Sequence, residues 1–270
     1  MKAIIIGDVH DRVDWVEPFL KTQEPYDKVI FLGDYFNSWT DTANTASHTA
    51  RWLKKMIHDP RNVMLYGNHD LSFAVPRGCT FCPGWDHPKH KAVSAIMKAE
   101  DWAKMKLVHF EDPDIIFSHA GLLKQWFEHP VDGITKEGII KLCDRALEKV
   151  RGGMYDDILC NWGTRGGAMW PSGGIIWADW SELCQKEGRL KGWTQIVGHS
   201  TSKNGPRICK VDEKHVNICL DTCNMFYGTL INGVIDCHKN PYVHLKKAEK
   251  AVSGMCDTEN GYGMGPPKKA

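Results

Sequence analysis

Acidic, amide and histidine side chains recur in this 270-residue chain directly after short apolar runs. In chain order they are Asp8, His10, Asp34, Asn68, His69, His119 and His199. Neutral imidazoles and carboxylates are ligands for zinc, iron and manganese. Such side chains can hold two ions when one carboxylate bridges them. One motif alone more often marks a turn, but five in order predict a dinuclear metal site.

The apolar runs that precede these residues have the length of buried strands. The runs are 4–6, 29–32, 63–66, 115–117 and 196–197. Between the second and third runs, Thr45 to His58 places apolar side chains at helical spacing, and Asp59-Pro60 ends the predicted helix. Strand, helix and strand in this order predict an α/β fold. In an open α/β sheet, ligands bind beyond the carboxyl ends of the strands.

Two insertions, near 70–114 and 122–193, interrupt this order. The first starts as a loop rich in Gly, Pro and Cys and continues as a predicted helix at 89–106. The second contains a predicted helix at 135–151 and a glycine-rich stretch. These insertions could form a cap over the site.

We expect one domain over residues 1–250, because no linker divides the chain. Three runs after Gly198 are predicted to be antiparallel strands: 206–211, 215–221 and 227–236. The small, polar residues of 251–270 predict a flexible tail.

Composition narrows the range of partners. Lys plus Arg is 34 and Asp plus Glu is 33, which argues against an extended nucleic-acid-binding surface. No run of about 20 apolar residues is present, so no membrane partner is expected. The first ten residues lack the features of a signal peptide. We therefore expect a cytoplasmic protein whose ten cysteines stay reduced.

A second metal site is conceivable in the first insertion. Cys79 and Cys82, followed by His87 and His90, are residue types that bind structural zinc. The histidine spacing is shorter than in a zinc finger, and a packed loop is the alternative.

In order, the motifs GDVH, GDYFN, GNHD, SHAG and GHS resemble those of the calcineurin-like metallophosphoesterases, over residues 3 to about 235. IIWADW, IVGHS and ICLDT are similar to the branch that includes the serine/threonine and phage-type protein phosphatases. The resemblance implies an α/β (α+β) fold, a two-layer β-sandwich flanked by helices. It also implies hydrolysis of a phosphomonoester by a metal-activated water. Manganese is the expected metal, with iron, zinc or magnesium as alternatives.

The resemblance also assigns roles by motif. The implied metal ligands are Asp8, His10, Asp34, Asn68, His119 and His199. Asp34 would bridge the ions, and Asp8 and His10 would hold the first ion with His199 or a neighbouring ligand. Asn68, His119 and His199 would complete the second site, where Asn68 would also bind substrate. His69 would be the catalytic histidine that faces the leaving group.

The sequence departs from the protein-phosphatase pattern after the second motif. That branch continues with Asp-Arg-Gly, whereas this chain has Asn37-Ser38-Trp39. The arginine that grips phosphate and the aspartate that orients the histidine are both absent, which argues against phosphoprotein activity. Arg165 is the first candidate to replace the arginine and Arg12 the second. Asn37 or Asp70 could orient the histidine.

Other functions use the same motifs. A phosphodiesterase or a dinucleoside-polyphosphate hydrolase would keep the same site, and a non-catalytic scaffold would keep the fold without metals. A scaffold has no chemical need for all six ligands. The phosphorylated substrate could be a small molecule, a peptide or a nucleic-acid end.

Overall fold

The computed structural model describes residues 1–111, 113–127, 134–169 and 172–245. Its strands are β1 (Lys2–Ile6), β2 (Lys28–Phe31), β3 (Asn62–Met64), β4 (Val108–Glu111), β5 (Ile115–Ser118), β6 (Thr194–Val197), β7 (Arg207–Lys210), β8 (Val216–Cys219), β9 (Phe226–Ile231) and β10 (Val234–Lys239). They form two five-stranded sheets, β10-β9-β1-β2-β3 and β4-β5-β6-β8-β7.

The α-helices that flank the sheets are α1 (Val16–Gln23), α2 (Ala43–Ile57), α3 (Asn68–Ala74), α4 (His87–Ile96), α5 (Ala99–Trp102), α6 (Lys136–Arg151), α7 (Asp157–Cys160), α8 (Trp180–Cys184) and α9 (Pro241–Leu245). Short 3₁₀ turns lie at Gly78–Thr80, Lys124–Trp126 and Gly163–Met169. Within the described ranges, no helix has both the length and the apolar character needed to cross a membrane.

The two sheets pack on each other because alternate side chains of each strand face opposite sides. Ile5 of β1 belongs to the same buried cluster as Phe117 of β5, between the sheets. Its neighbour Ile6 packs instead with Phe19 of α1 and Leu53 of α2. The predicted two-layer sandwich flanked by helices is therefore confirmed.

The sheets bring the carboxyl ends of several strands to one place. In the first sheet, β2 pairs in parallel with both β1 and β3. In the second sheet, β6 pairs in parallel with both β5 and β8. All five predicted strand runs are present, and the helix predicted at 45–58 is α2. The helix predicted at 135–151 is α6, whose N-cap Thr135 accepts a hydrogen bond from the Gly138 N–H.

The helix predicted at 89–106 is wrong in extent, because two helices occupy that segment. The helix α4 ends before Met97, whose backbone is extended, and α5 begins after Lys98. The Asp101 carboxylate accepts the Lys98 N–H at 2.9 Å and the Lys54 ammonium at 2.8 Å. The Asp101 carboxylate thus stabilises the interruption between α4 and α5. Its contact with Lys54, which is distant in sequence, could not be predicted from the local pattern.

The strands after Gly198 also differ from the prediction. The run at 227–236 is not one strand but the hairpin of β9 and β10, which turns at Asn232 and Gly233. Both turn residues have positive φ, at 51° and 85°, as a two-residue Asn-Gly hairpin turn requires. The second run, β8, is antiparallel to β7 but parallel to β6. The predicted tail, 251–270, lies outside the described residues.

Candidate metal centre

Two groups of side chains with ligand atoms meet at the strand ends. One group is Asp8, His10 and Asp34, and the other is Asp34, His119 and His199. Within each group the ligand atoms lie within 4.8 Å of one another. Asp34 is common to both groups, and its Oδ2 lies 3.8 Å from His10 Nε2 and 3.3 Å from His119 Nε2. The geometry thus places His199 with the second group rather than with Asp8 and His10.

The backbone around this centre is strained and tightly packed. His10, Asp34 and His199 adopt left-handed conformations, with φ of 43°, 55° and 65°. Such conformations cost about 1–3 kcal/mol each in non-glycine residues and cluster at functional sites. A Cβ atom on Gly67 would lie 2.0 Å from Asp34 Oδ1, and one on Gly198 would lie 2.0 Å from an Asp8 oxygen. Only glycine fits at these two positions.

Hydrogen bonds to backbone carbonyls fix two of the imidazole rings. His10 Nδ1–H donates to the Phe36 carbonyl at 2.9 Å, and His119 Nδ1–H donates to the Leu32 carbonyl at 2.8 Å. A proton on Nδ1 leaves Nε2 with a free lone pair, which is the state that binds a metal. Both Nε2 atoms face Asp34.

The second group includes the Asn68 side chain. Asn68 Oδ1 lies 3.0 Å from His119 Nε2, which in turn lies 3.2 Å from His199 Nδ1. The remaining nitrogen of His199, Nε2, is buried and has no hydrogen-bond partner among the described residues. Two imidazole nitrogens this close must share either a proton or a cation. With a carboxylate and an amide oxygen beside them, the donors fit manganese, iron or zinc.

Burial and charge shift the pKa values in directions that also suit cations. Burial, with the nearby Asp221 carboxylate, raises the pKa of Asp8 well above its usual range. Burial also acts to raise the pKa of Asp34, but the His119 and His69 rings hold it well below its usual range. Despite its burial, the two carboxylates raise the pKa of His119 to about 9. The buried carboxylates thus attract positive charge to this centre.

His69 is buried beside this centre, and Asn37 contacts it. The Asn37 Nδ2 atom lies 2.9 Å from His69 Nδ1. Burial lowers the pKa of His69 to about 3. Asn68 and His69 form the first turn of α3 and do not end a strand as we predicted, since β3 ends at Met64.

Asp70 has a different role from the orienting one considered above. It accepts backbone N–H hydrogen bonds from Asp34 at 2.7 Å, Tyr35 at 2.8 Å and Gly67 at 2.8 Å. It therefore holds the loop that carries Asp34. Burial and the Asp34 charge raise the pKa of Asp70 to about 7.

The two arginine candidates lie in different settings. Arg165 donates to the Ser200 hydroxyl at 3.1 Å and to the His199 carbonyl at 3.4 Å, and it pairs with Asp179 at 3.3 Å. Its guanidinium is one of the charges that lower the pKa of the buried His199. Arg12 is exposed, and its side chain makes no hydrogen bond or ion pair with a described residue.

The cysteines of the first insertion take part in packing. Cys82 is buried, and its Sγ accepts a hydrogen bond from Asn68 Nδ2 at 2.9 Å. The two histidines that follow pack against the Trp85 ring. In the described part of the chain, neither candidate metal-binding group includes Cys79 or Cys82.

Sequence reasoning missed several residues near the centre. Asp179 and Asp221 belong to the motifs WADW and LDT, which could have identified them. Trp39 has a φ of 67°, is 56% exposed and presents its ring 6.0 Å from that of His69. Lys89 has no local signal at all and contacts Asn37 from the first insertion.

Comparisons with known proteins agree with the geometry. A family model described as calcineurin-like phosphoesterase matches residues 1–207. The symmetrical bis(5'-nucleosyl)-tetraphosphatase of Methylobacillus flagellatus is 30% identical over 138 residues, which are 47% of this chain. This match spans 45% of that relative, so the chain corresponds to less than half of its length.

Two solved structures are also similar to the chain. A metallophosphoesterase from Sphaerobacter thermophilus is 14% identical with a TM-score of 0.43, covering 89% of this chain and 88% of that protein. The phosphoesterase Yfce from E. coli is 12% identical with a TM-score of 0.38, covering 87% and 91%.

Proposed function

Because this chain belongs to the calcineurin-like phosphoesterase family and is thus a hydrolytic enzyme, we propose that it hydrolyses a phosphomonoester at a dinuclear metal site. The observation that carries this proposal is the position of Asp34. It is buried, and it belongs to both groups of ligand atoms. A carboxylate in that place serves two cations at once.

The proposed ligand sets follow from the two groups. One ion would be held by Asp8, His10 and Asp34, and the other by Asp34, Asn68, His119 and His199. Two divalent ions, when bound, polarise the phosphoryl oxygens and supply a hydroxide at neutral pH. Manganese is our first choice among the metals that these donors accept.

The chain's own residues would then bind the substrate and assist the leaving group. The Asn68 side chain has its amide nitrogen fixed by Cys82 and its oxygen directed into the second group. The His69 ring lies to the side of the metal ligands, 5.2 Å from the ring of His10. We therefore propose that the ring N–H of His69 donates a hydrogen bond to the departing oxygen.

The test compares two substrates before and after removal of the metals. The purified protein should contain two divalent ions per chain and hydrolyse nitrophenyl phosphate faster than bis(nitrophenyl) phosphate. Dialysis against a chelator should abolish both activities, and added Mn²⁺ should restore them. Full activity in protein that elemental analysis shows to be free of metal would refute the dinuclear proposal.

A second candidate function is hydrolysis of a dinucleoside polyphosphate. The observation that favours it is the similarity to the Methylobacillus tetraphosphatase. Incubation with diadenosine tetraphosphate distinguishes the candidates, because symmetrical cleavage releases two nucleoside diphosphates. A rate on this substrate well above that on phosphomonoesters would favour the second candidate.

We also propose that the chain lies nearest to the serine/threonine and phage-type protein phosphatase branch, on the motifs IIWADW, IVGHS and ICLDT. Asn37-Ser38-Trp39 separates it from enzymes of that branch that carry Asp-Arg-Gly.

Arg165 is expected to bind the substrate phosphate. Hydrogen bonds to charged groups contribute about 1.5–3 kcal/mol, so Arg165→Ala should lower kcat/KM by about 10- to 100-fold. Arg165→Lys keeps the charge but loses the planar fork and should remain impaired. Steady-state kinetics on nitrophenyl phosphate measures this, with Arg145→Ala on the exposed face of α6 as the control. Wild-type kinetics in Arg165→Ala would exclude this residue and leave Arg12 as the candidate.

A further inference from the structure

Lys89 is a buried cation close to the metal centre. It lies on α4, in the first insertion, and only 6% of its side chain is exposed. Its ammonium pairs with Asp41 at 2.9 Å and with Asp86 at 3.6 Å, and it also donates to the Gly84 carbonyl. A charge this deeply buried is costly unless it is paired and hydrogen-bonded.

The same ammonium also reaches the residue that contacts the catalytic histidine. Lys89 Nζ lies 3.4 Å from Asn37 Oδ1, and Asn37 Nδ2 lies 2.9 Å from His69 Nδ1. The three side chains form a continuous series of hydrogen bonds from the first insertion to the metal centre.

Lys89 determines which group donates in each hydrogen bond of this series. An ammonium has three donors and no acceptor, so the oxygen of the Asn37 amide must face it. The amide nitrogen then faces His69, and its N–H donates to Nδ1. A neutral imidazole that accepts at Nδ1 carries its hydrogen on Nε2, on the other side of the ring.

We propose that Lys89 is a positioning residue that acts through the Asn37 amide to fix His69 as the Nε2–H tautomer. The proposal rests on the function proposed above only for its catalytic consequence, since the tautomer itself is a property of the folded chain.

Packing alone does not explain why the amide has this orientation. Asn37 is fully buried with a φ of 64°, and a Cβ on Gly84 would lie 3.1 Å from its Cγ. The side chain is therefore closely packed. A half-turn of its amide exchanges oxygen and nitrogen with little change in shape. The charge of Lys89 selects between the two orientations.

This arrangement differs from one in which an aspartate stands at position 37. A carboxylate is an acceptor only, so it would require a hydrogen on Nδ1 of His69. Here the amide donates, and the ring offers the leaving oxygen one N–H hydrogen bond. That hydrogen bond stabilises the negative charge that develops on the leaving oxygen, and it contributes most where the charge is most localised, as on an alkoxide.

Nitrogen-15 NMR of the Zn²⁺-loaded protein tests the tautomer directly, because Zn²⁺ is diamagnetic. Histidine-labelled protein and a His69→Gln variant identify the His69 signals. We expect the shift of a protonated nitrogen at Nε2 and of an unprotonated one at Nδ1. A hydrogen on Nδ1 in the wild-type protein would overturn the proposal whether or not the protein hydrolyses phosphoesters.

Two variants test the role of Lys89. Lys89→Met combined with Asp41→Asn removes both buried charges together, so neither is left unpaired. It should populate both tautomers, and the rate ratio of alkyl phosphate to nitrophenyl phosphate should fall with the fraction of the Nδ1–H form, by about twofold for an even mixture. Lys54→Met combined with Asp101→Asn removes a similar ion pair elsewhere, on α2 and α5, and should leave His69 and the ratio unchanged. A folded Lys89/Asp41 variant that keeps one tautomer and the wild-type ratio would show that Lys89 is merely structural.

Asn37→Asp provides an independent variant should the double variant fail to fold. The new carboxylate pairs with Lys89 and accepts from His69, so the hydrogen should appear on Nδ1. A neutral ring with its hydrogen on Nδ1 has no Nε2–H to offer the leaving oxygen, so the alkyl-to-nitrophenyl ratio should fall. An Nδ1 that stays unprotonated in Asn37→Asp would overturn the proposal.

Discussion

Asp34→Asn is expected to abolish turnover and to lower the bound metal from two ions to less than one per chain. Among the described residues, Asp34 alone belongs to both groups of ligands, so loss of its carboxylate weakens both sites. Substitution of a residue that merely supports a ligand already costs about 10- to 100-fold in metal affinity. Loss of a ligand shared by both ions should lower the metal affinity by more than this. Elemental analysis and steady-state kinetics on nitrophenyl phosphate measure the two effects.

Asp14→Asn is the matched control. Asp14 is an exposed aspartate, with 69% of its side chain accessible and His48 as its partner. This variant should keep both ions and its full rate. If Asp34→Asn also kept both ions and near-normal turnover, the site would lie elsewhere.

His69→Ala is expected to lose much more rate on an alkyl phosphate than on nitrophenyl phosphate. An N–H hydrogen bond to the charge that develops on the leaving oxygen contributes about 10²- to 10³-fold, and the contribution is largest for poor leaving groups. A nitrophenolate departs readily without a proton, whereas an alkoxide does not. Because the His69 ring contacts Asn37 rather than joining either group of metal ligands, the metal content should not change.

The control for this variant is His48→Ala, which removes an exposed histidine on α2. It should leave both rates unchanged. Equal losses on the two substrates in His69→Ala, together with a lower metal content, would mean that His69 is a ligand and that another group assists the leaving group.

The strands could be predicted from the sequence because they have local signals, and the candidate ligands were chosen by the same signals. Asp8, Asp34, Asn68 and His199 each follow a glycine at the end of a short apolar run. The parallel pairing of β1, β2 and β3 then places the ends of these strands together. Local pattern and sheet geometry were therefore enough to predict that Asp8 and Asp34 lie close together, as they do in the structure.

The network around His69 had no such signal. Lys89 and Asn37 are 52 residues apart and meet only because α4 packs near the second motif. A lysine on a helix is read from sequence as solvent-exposed, since burial of a charge depends on partners that the sequence does not reveal. The hairpin of β9 and β10 is a different case. Its Asn-Gly turn was a usable signal that the prediction overlooked.

Most of the candidate ligands lie at the ends of strands, so changes in the insertions and changes in the metal centre can occur independently. Strand register fixes where Asp34 and His119 lie, and Asp70 at the start of the first insertion supports the loop of Asp34. The parts of 70–114 and 122–193 that do not contact the centre can therefore change length and composition without displacing these two residues. These same segments supply Lys89 and Arg165. A lineage built on this fold can thus acquire new substrates by altering its insertions while the hydrolytic centre is inherited intact.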